Sequence, residues 1–205
     1  MKIVIATRNR HKAVELQTLL HGAGYDAVQL DEIDPDGKIP EVEETGTTFK
    51  ENALLKAHAI AKATGLPSVA DDTGLEVDAL GGAPGIFSAR YAGENCTYED
   101  NVKKLLRELS DVADDRRTAR FKTVAVYVHK ETELSAEGVV EGVITEKEEG
   151  VGGFGYDPVF SVLDMKKTYA QLADEEKNRV SHRGKAIRSL IEKLRENGLI
   201  ADNPS

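Results

Sequence analysis

The stretch ADDTGLEVDALGGAPGIFSARYAG, residues 70–93, sets Asp71 beside Asp72 at the end of an apolar run and follows them with a glycine- and proline-containing loop ending in arginine. Two neighbouring carboxylates repel unless solvent, a cation or a metal stands between them, so a structured Asp-Asp pair calls for a partner. Glu44, Asp71 and Asp72 are hard oxygen ligands of the kind that suits Mg2+, which is held through one or two carboxylates plus waters and substrate phosphates. A single acidic residue more commonly caps a helix or faces solvent. Paired aspartates closing an apolar strand are harder to place that way, because one of them must point into any cleft at the sheet's edge.

Three further stretches carry chemistry. TRNRHK, residues 7–12, follows the first apolar run and offers the Thr7 hydroxyl, the Asn9 amide and the Lys12 ammonium to phosphate oxygens at a helix start, where free N–H groups favour an anion. A solvated basic loop would have the same composition. GGFGYDP, residues 152–158, offers glycines for close backbone approach and Phe154 as a stacking surface under a flat ligand, or equally a tight turn with a core phenylalanine. SHRG, residues 181–184, places His182 and Arg183 as donors at another helix start, although a capped surface helix would look similar. Neither the GxxxxGKS/T phosphate loop nor a GxGxxG after the first strand is present, which disfavours Walker-type ATP chemistry and Rossmann dinucleotide binding.

These groups need elements to hold them. MKIVIAT reads as a buried strand, and KAVELQTLLHGAG carries Ala13, Leu16, Leu20 and Ala23 at helical spacing, so strand, polar loop and helix open an α/β unit, with the loop where α/β sheets favour ligands. AVQL is a second short strand, followed by an acidic, proline-containing loop. In TTFKENALLKAHAIAKATGLP, Thr48 and Glu51 form a capping box, Phe49, Ala53, Ala57 and Ile60 make an apolar stripe, and Gly65 with Pro67 stops the helix. Thr48, Asn52 and Lys56 then share its polar face, with Glu44 just before the N-terminus. SVADD is a short strand ending at the aspartates, and LEVDAL a second strand after a turn at Thr73 and Gly74. TYEDNVKKLLREL is an amphipathic helix capped by Thr97 and Asp100. TARFKTVAVYVHK and ELSAEGVVEGVITEK alternate as paired antiparallel strands. The last helix carries Ala186, Ile187, Leu190, Ile191 and Leu194 on one stripe, with Ser181 as N-cap and Gly198 as stop.

The expectation is one mixed α/β domain over residues 1–205 with a central sheet, divisible into two lobes around a cleft. A length of 205 residues is enough to bury a sizeable core, and 40% hydrophobic with 31% charged residues is ordinary for a soluble enzyme. The net charge of -9 argues against broad nucleic-acid or anionic-membrane binding, so a polyanionic substrate must meet a local concentration of lysine and arginine. The apolar run IVIA, residues 3–6, is too short for a signal peptide or a span, which makes a cytoplasmic location the expectation. Cys96 is the single cysteine and the five histidines lack zinc spacing, so neither a disulfide nor a soft-metal site is expected.

Taken together and in order, ATRNRHK, EETGTTFKENALLKA, ADDTGLEVDALGGAPGIFSARYAG, GGFGYDPVF and EEKNRVSHRGKA resemble the inosine/xanthosine triphosphate pyrophosphatase family over nearly the whole chain. The resemblance implies an elongated two-lobed α/β fold, a homodimer, and Mg2+-dependent hydrolysis of ITP, dITP or XTP to the monophosphate and pyrophosphate. It implies that Thr7, Arg8, Asn9, Arg10, His11 and Lys12 hold the triphosphate, and that Asn52, Lys56 and Thr73 join the substrate-binding set. Glu44 and Asp72 would hold the metal, and Asp72 would also be the base that activates water. Phe154, Gly155, Tyr156, Asp157, Lys177, His182 and Arg183 would surround the purine.

Many relatives have glycine where this chain has Arg8, so the loop here should run at ordinary negative φ, with Arg8 either on a phosphate or, as the favoured reading, toward solvent. Two rival functions are a Maf-like pyrophosphatase acting on other nucleotides, against which SHRG and GGFGYDP speak, and a nucleotide-binding regulator without turnover. A pure sensor has no need of Glu44, Asp72, Lys12 and Lys56 as a complete set.

Overall fold

A computed structural model of the chain describes residues 2–199. Its strands are β1 (Lys2–Ile5), β2 (Asp26–Gln29), β3 (Ser68–Val77), β4 (Thr118–His129), β5 (Thr132–Ile144), β6 (Phe160–Val162) and β7 (Lys167–Thr168). The helices are α1 (Arg10–Gly22), α2 (Leu30–Ile33), α3 (Phe49–Thr64), α4 (Tyr98–Glu108), α5 (Asp174–Val180) and α6 (His182–Glu196). The strands form one mixed sheet in the order β2-β1-β3-β4-β5-β6-β7. β1 pairs in parallel with both β2 and β3, as the crossover helices α1 and α3 require, whereas β6 runs antiparallel to β5 and β7. β4 and β5 are neighbours joined by Lys130 and Glu131 alone, a connection short enough only for antiparallel strands.

The chain divides into two compact units. Of the described residues, the first contains 2–72, 123–138 and 183–199, and the second 73–122 and 139–182. The core of the first joins Ile3 and Ile5 of β1, Leu16 and Leu20 of α1, Val69 of β3, Tyr127 of β4 and the apolar stripe Ala186, Ile187, Leu190, Ile191 and Leu194 of α6. That stripe is the one its helical spacing predicts. The core of the second joins Leu75 and Val77 of β3, Val102, Leu105 and Leu109 at the end of the α4 stripe, Phe121 of β4, Val140 and Ile144 of β5, and Tyr156, Phe160 and Tyr169.

Capping sets the helix boundaries as the sequence indicates. Thr48 Oγ1 accepts from the Glu51 amide while Glu51 answers the Thr48 amide, and Gly65 leaves α3 at φ 69°. Thr97 and Asp100 do the same for α4. Ser181, extended at φ -68° and ψ 156°, separates α5 from α6.

Two element assignments change. Leu30 opens α2 instead of closing a strand, and residues 68–77 are one continuous strand, not two strands about a Thr73-Gly74 turn. A turn at Gly74 would break the burial of Ala70, Asp71, Asp72, Leu75 and Val77, and the Leu75 amide is instead fixed by Ser88 Oγ at 2.9 Å. The consequence matters for chemistry, because Asp71 and Asp72 both lie inside a strand and successive side chains of a strand point to opposite faces.

Candidate active site

In the first unit the two aspartates divide their partners as that alternation demands. Asp71 Oδ2 lies 3.1 Å from Arg183 Nε and 3.5 Å from Lys12 Nζ, facing α6 and α1. Arg183 also pairs through its second nitrogen with Glu15 of α1. Asp72 faces α3: Asn52 Nδ2 donates to its Oδ2 at 3.2 Å and Lys56 Nζ stands 3.8 Å from Oδ1. Lys56 Nζ simultaneously holds Glu44 at 2.6 Å, so Glu44 and Asp72 converge on one ammonium group. The shared i, i+4 face of Thr48, Asn52 and Lys56 therefore cooperates as its spacing predicts, with Thr48 capping and the other two meeting Asp72.

The electrostatics follow from burial. Desolvation pushes the Asp72 carboxyl above the ordinary aspartate range, and Lys56 and Lys12 only partly pull it back. Burial likewise opposes the charge of Lys56, but Asp72 and Glu44 outweigh it and its pKa rises. Lys12 goes the other way: desolvation lowers its pKa, Asp71 and, more weakly, Asp72 compensate incompletely, and the charges of Lys56 and Arg183 push in the same direction as burial. For Arg183 the buried carboxylates Asp71 and Glu15 overcome desolvation and the pKa is raised. Lys12 is thus the under-compensated cation of the cluster, and an arriving anion relieves it. In the ion pairs described, Lys12, Lys56 and Arg183 face Glu15, Glu44, Asp71 and Asp72.

The 7–12 loop is more internally engaged than a free anion cradle. Asn9 caps α1, its Oδ1 accepting from the amides of His11 at 3.1 Å and Lys12 at 3.3 Å, and Thr7 Oγ1 accepts from the Asn9 amide at 3.2 Å. Two of the helix-start N–H groups expected to meet a phosphate are therefore taken by the cap. Arg10 and His11 are exposed. Arg8 keeps an ordinary negative φ, but its side chain does not run to solvent: its guanidinium bonds Asp34 at 2.6 Å, Asp31 at 3.0 Å and the Ile39 carbonyl at 3.1 Å.

In the second unit, GGFGYDP closes on Asp157. Its carboxylate accepts from the Phe154 amide at 2.8 Å and from Lys177 Nζ at 2.8 Å, both inside the fold. Gly153 sits at φ 72° with the Asp157 carboxylate where a Cβ would be, so this position takes only glycine. Gly153→Ala is expected to lower the thermal midpoint and to weaken any ligand seated on Phe154, measured by a melting scan and by nucleotide titration. An unchanged midpoint would show that the turn yields without cost. Phe154 is half-buried and outside both cores, with Lys177 Nζ 4.8 Å from its ring centroid and the Tyr98 ring at 6.0 Å. Tyr156 is the core member of the motif, its hydroxyl donating to the Ser88 carbonyl at 2.9 Å. The buried His182 stacks on Phe121 with centroids 4.5 Å apart, Nδ1 lying 3.4 Å from the Tyr169 hydroxyl.

Lys177, Phe154, Asp157 and His182 belong to the second unit, whereas Arg183 turns its Nε and one terminal nitrogen to carboxylates of the first. Among the contacts described for Arg183 are Asp71 through Nε and Glu15 through a terminal nitrogen. Glu15, Asp31 and Asp34 carry no motif in the sequence. Glu15 stands one helical turn after Lys12, which is the only local signal it gives.

Residues 3–193 match the model of the Ham1 family. The chain is 53% identical over 197 residues to a dITP/XTP pyrophosphatase of Salmonella paratyphi A, covering 95% of this chain and 98% of the relative. Among solved structures it is similar to the Ham1 protein of Staphylococcus aureus, with a TM-score of 0.83 and 42% identity over 96% of this chain and 100% of that one. A HAM1 protein from Coxiella burnetii gives a TM-score of 0.84 at 41% identity, over 96% and 99% of the two chains. With its sequence matched almost end to end and its fold similar to that of these structures, the chain belongs to the Ham1 family.

Proposed function

We propose that this chain hydrolyses ITP, dITP and XTP to the monophosphate and pyrophosphate, and so removes non-canonical purines from the nucleotide pool. The observation that carries the reading is the buried charge cluster on β3, where Glu44 and Asp72 converge on Lys56 while Lys12 is left under-compensated beside Asp71. It is supported by the activity named for the Salmonella relative.

Glu44 and Asp72, the two hard oxygen donors that converge on the Lys56 ammonium, would hold Mg2+ arriving with the triphosphate. Bound there, the ion supplies neutralisation of the phosphoryl oxygens and of the leaving pyrophosphate. Asp72 takes the proton from the attacking water. Asn52 holds the Asp72 carboxylate through Oδ2, so that the other oxygen keeps its orientation. The water oxygen bonds the α-phosphorus, the bond to the α,β-bridging oxygen breaks, and the electron pair leaves with pyrophosphate. Lys12 and Lys56 stabilise the charge that develops there.

Phe154 serves as the stacking surface for the base, with Lys177 and His182 donating to the 6-oxo group of hypoxanthine or xanthine. Adenine presents a 6-amino donor instead, and leaving buried donors unpaired costs about 1 to 3 kcal/mol each, enough for roughly a hundredfold discrimination against ATP. Guanine retains the 6-oxo group, so its rejection rests on the 2-amino group. The test is pyrophosphate release from ITP, XTP, GTP and ATP with and without Mg2+. ITP and XTP should turn over about a hundredfold faster than ATP, and only with the metal. Equal rates for ATP and ITP would refute the base-recognition account, and full activity in EDTA the metal account.

A homodimer working in the cytoplasm completes the proposal. Phe87 is 54% exposed with Arg90 over its ring, whereas Tyr91 is tied to its own unit through Glu108 and Lys104, so Phe87 is the better candidate for a partner surface. Light scattering at micromolar concentration is expected to give the dimer mass, and Phe87→Glu to shift it toward monomer. A wild-type monomer at that concentration would rule the dimer out. Among the described residues no helix is long and apolar enough to cross a membrane.

A further inference from the structure

The Arg8 side chain leaves the 7–12 loop for a distant segment, 23 to 31 residues away. Its planar fork meets three acceptors there: the Asp34 and Asp31 carboxylates and the Ile39 carbonyl. A guanidinium is built for such a multi-point contact, and an ammonium is not. Asp34, only 7% exposed, is itself the closure of the segment it sits in, accepting from the amides of Lys38 at 2.8 Å and Ile39 at 2.9 Å. Burial opposes the Asp34 charge, but the Ile39 amide and Arg8 keep its carboxyl below the usual aspartate range.

Between α2 and α3, residues 34–48 contain neither helix nor strand, an unusual length for a connection without structure of its own. Its far end is pinned to α3: the Gly46 amide donates to Asn52 Oδ1 at 2.8 Å, and the Thr47 amide donates to Glu51. At Gly46 an added Cβ would come within 2.7 Å of Asn52 Oδ1, so the backbone is seated directly on the helix. Glu44 lies between the two pinned ends. At the near end, apart from the Asp34 amide capping α2 on the Leu30 carbonyl, the anchors outside the segment among the hydrogen bonds described for residues 34–39 are those Arg8 makes.

We propose that Arg8 is a positioning residue, a brace that fixes the 7–12 loop and the segment bearing Glu44 to one another through Asp34, and that it is not a direct phosphate ligand. The consequence for catalysis rests on the proposed function, in which Lys12 and Glu44 must be held together to receive a metal-bound triphosphate. The brace itself does not depend on that reading.

Hydrogen exchange of the free protein, without nucleotide or metal, tests the brace. In Arg8→Ala, and in Asp34→Asn, which keeps the volume and one acceptor oxygen, amides of residues 34–46 should exchange about tenfold faster or more, while those of the two cores stay protected. With ITP and Mg2+, both variants should then raise KM about three- to tenfold with a smaller change in kcat, and the double variant should be no worse than the more affected single one. Unchanged exchange in Arg8→Ala overturns the brace. So does a KM raised by Arg8→Ala but not by Asp34→Asn, the pattern of a direct phosphate contact. If the wild-type protein hydrolyses no nucleotide, the proposed function fails, and the exchange result still decides the brace.

Discussion

Asp72→Asn should lower kcat for ITP by about a hundredfold or more in a protein that still folds, because the change removes a metal-ligating anion and the water-activating base while conserving volume. Asp72 is nearly buried, yet its described partners, Asn52 and Lys56, come from α3 and not from either core, so the amide has room to persist. Lys56 keeps Glu44 at 2.6 Å in the variant and is not left without a counter-ion. A melting scan close to that of the parent, together with the lost turnover, is the expected pair of observations. Near-normal turnover in a folded Asp72→Asn protein would remove Asp72 from the chemistry.

The second large effect is expected at Arg183, and it concerns stability before activity. Its guanidinium is 2% exposed and pairs with Asp71, whose side chain is fully buried, and with Glu15. Removing one partner from a buried ion pair leaves uncompensated charge inside the protein and costs about 3 to 5 kcal/mol. In a chain of this length that corresponds to a fall in the thermal midpoint on the order of 10 °C. Were Arg183 only a reader of the purine, Arg183→Ala would leave the melting scan unchanged and alter only the ratio of ITP to ATP turnover.

What could be read from the chain beforehand divides along the range of the interactions. Local signals were legible: the capping boxes at Thr48 and Thr97, the stop at Gly65, the α6 stripe and the polar face of α3 all depend on residues within a turn or two. The Thr73-Gly74 pair misled because a turn-forming dipeptide carries no notice of the Ser88 hydroxyl, 13 residues on, that keeps Leu75 in a straight strand. The carboxylate pair raised the right question, but its answer needed long-range partners. That Asp71 belongs to Lys12 and Arg183 while Asp72 belongs to Asn52 and Lys56 follows from strand alternation only once 68–77 is a single strand. Arg8 shows the same limit, since neither spacing nor composition announces a partner 26 residues away in an acidic loop.

The most direct test of the central claim is where the oxygen of water goes. Hydrolysis of ITP in 18O-labelled water, with Mg2+ present, should yield IMP and pyrophosphate in equal amounts, with one labelled oxygen in IMP and none in pyrophosphate, because the attack assigned to the Asp72-activated water is at the α-phosphorus. Label in pyrophosphate would place the attack at the β-phosphorus, and labelled orthophosphate with IDP at the γ-phosphorus. Either result would contradict the account.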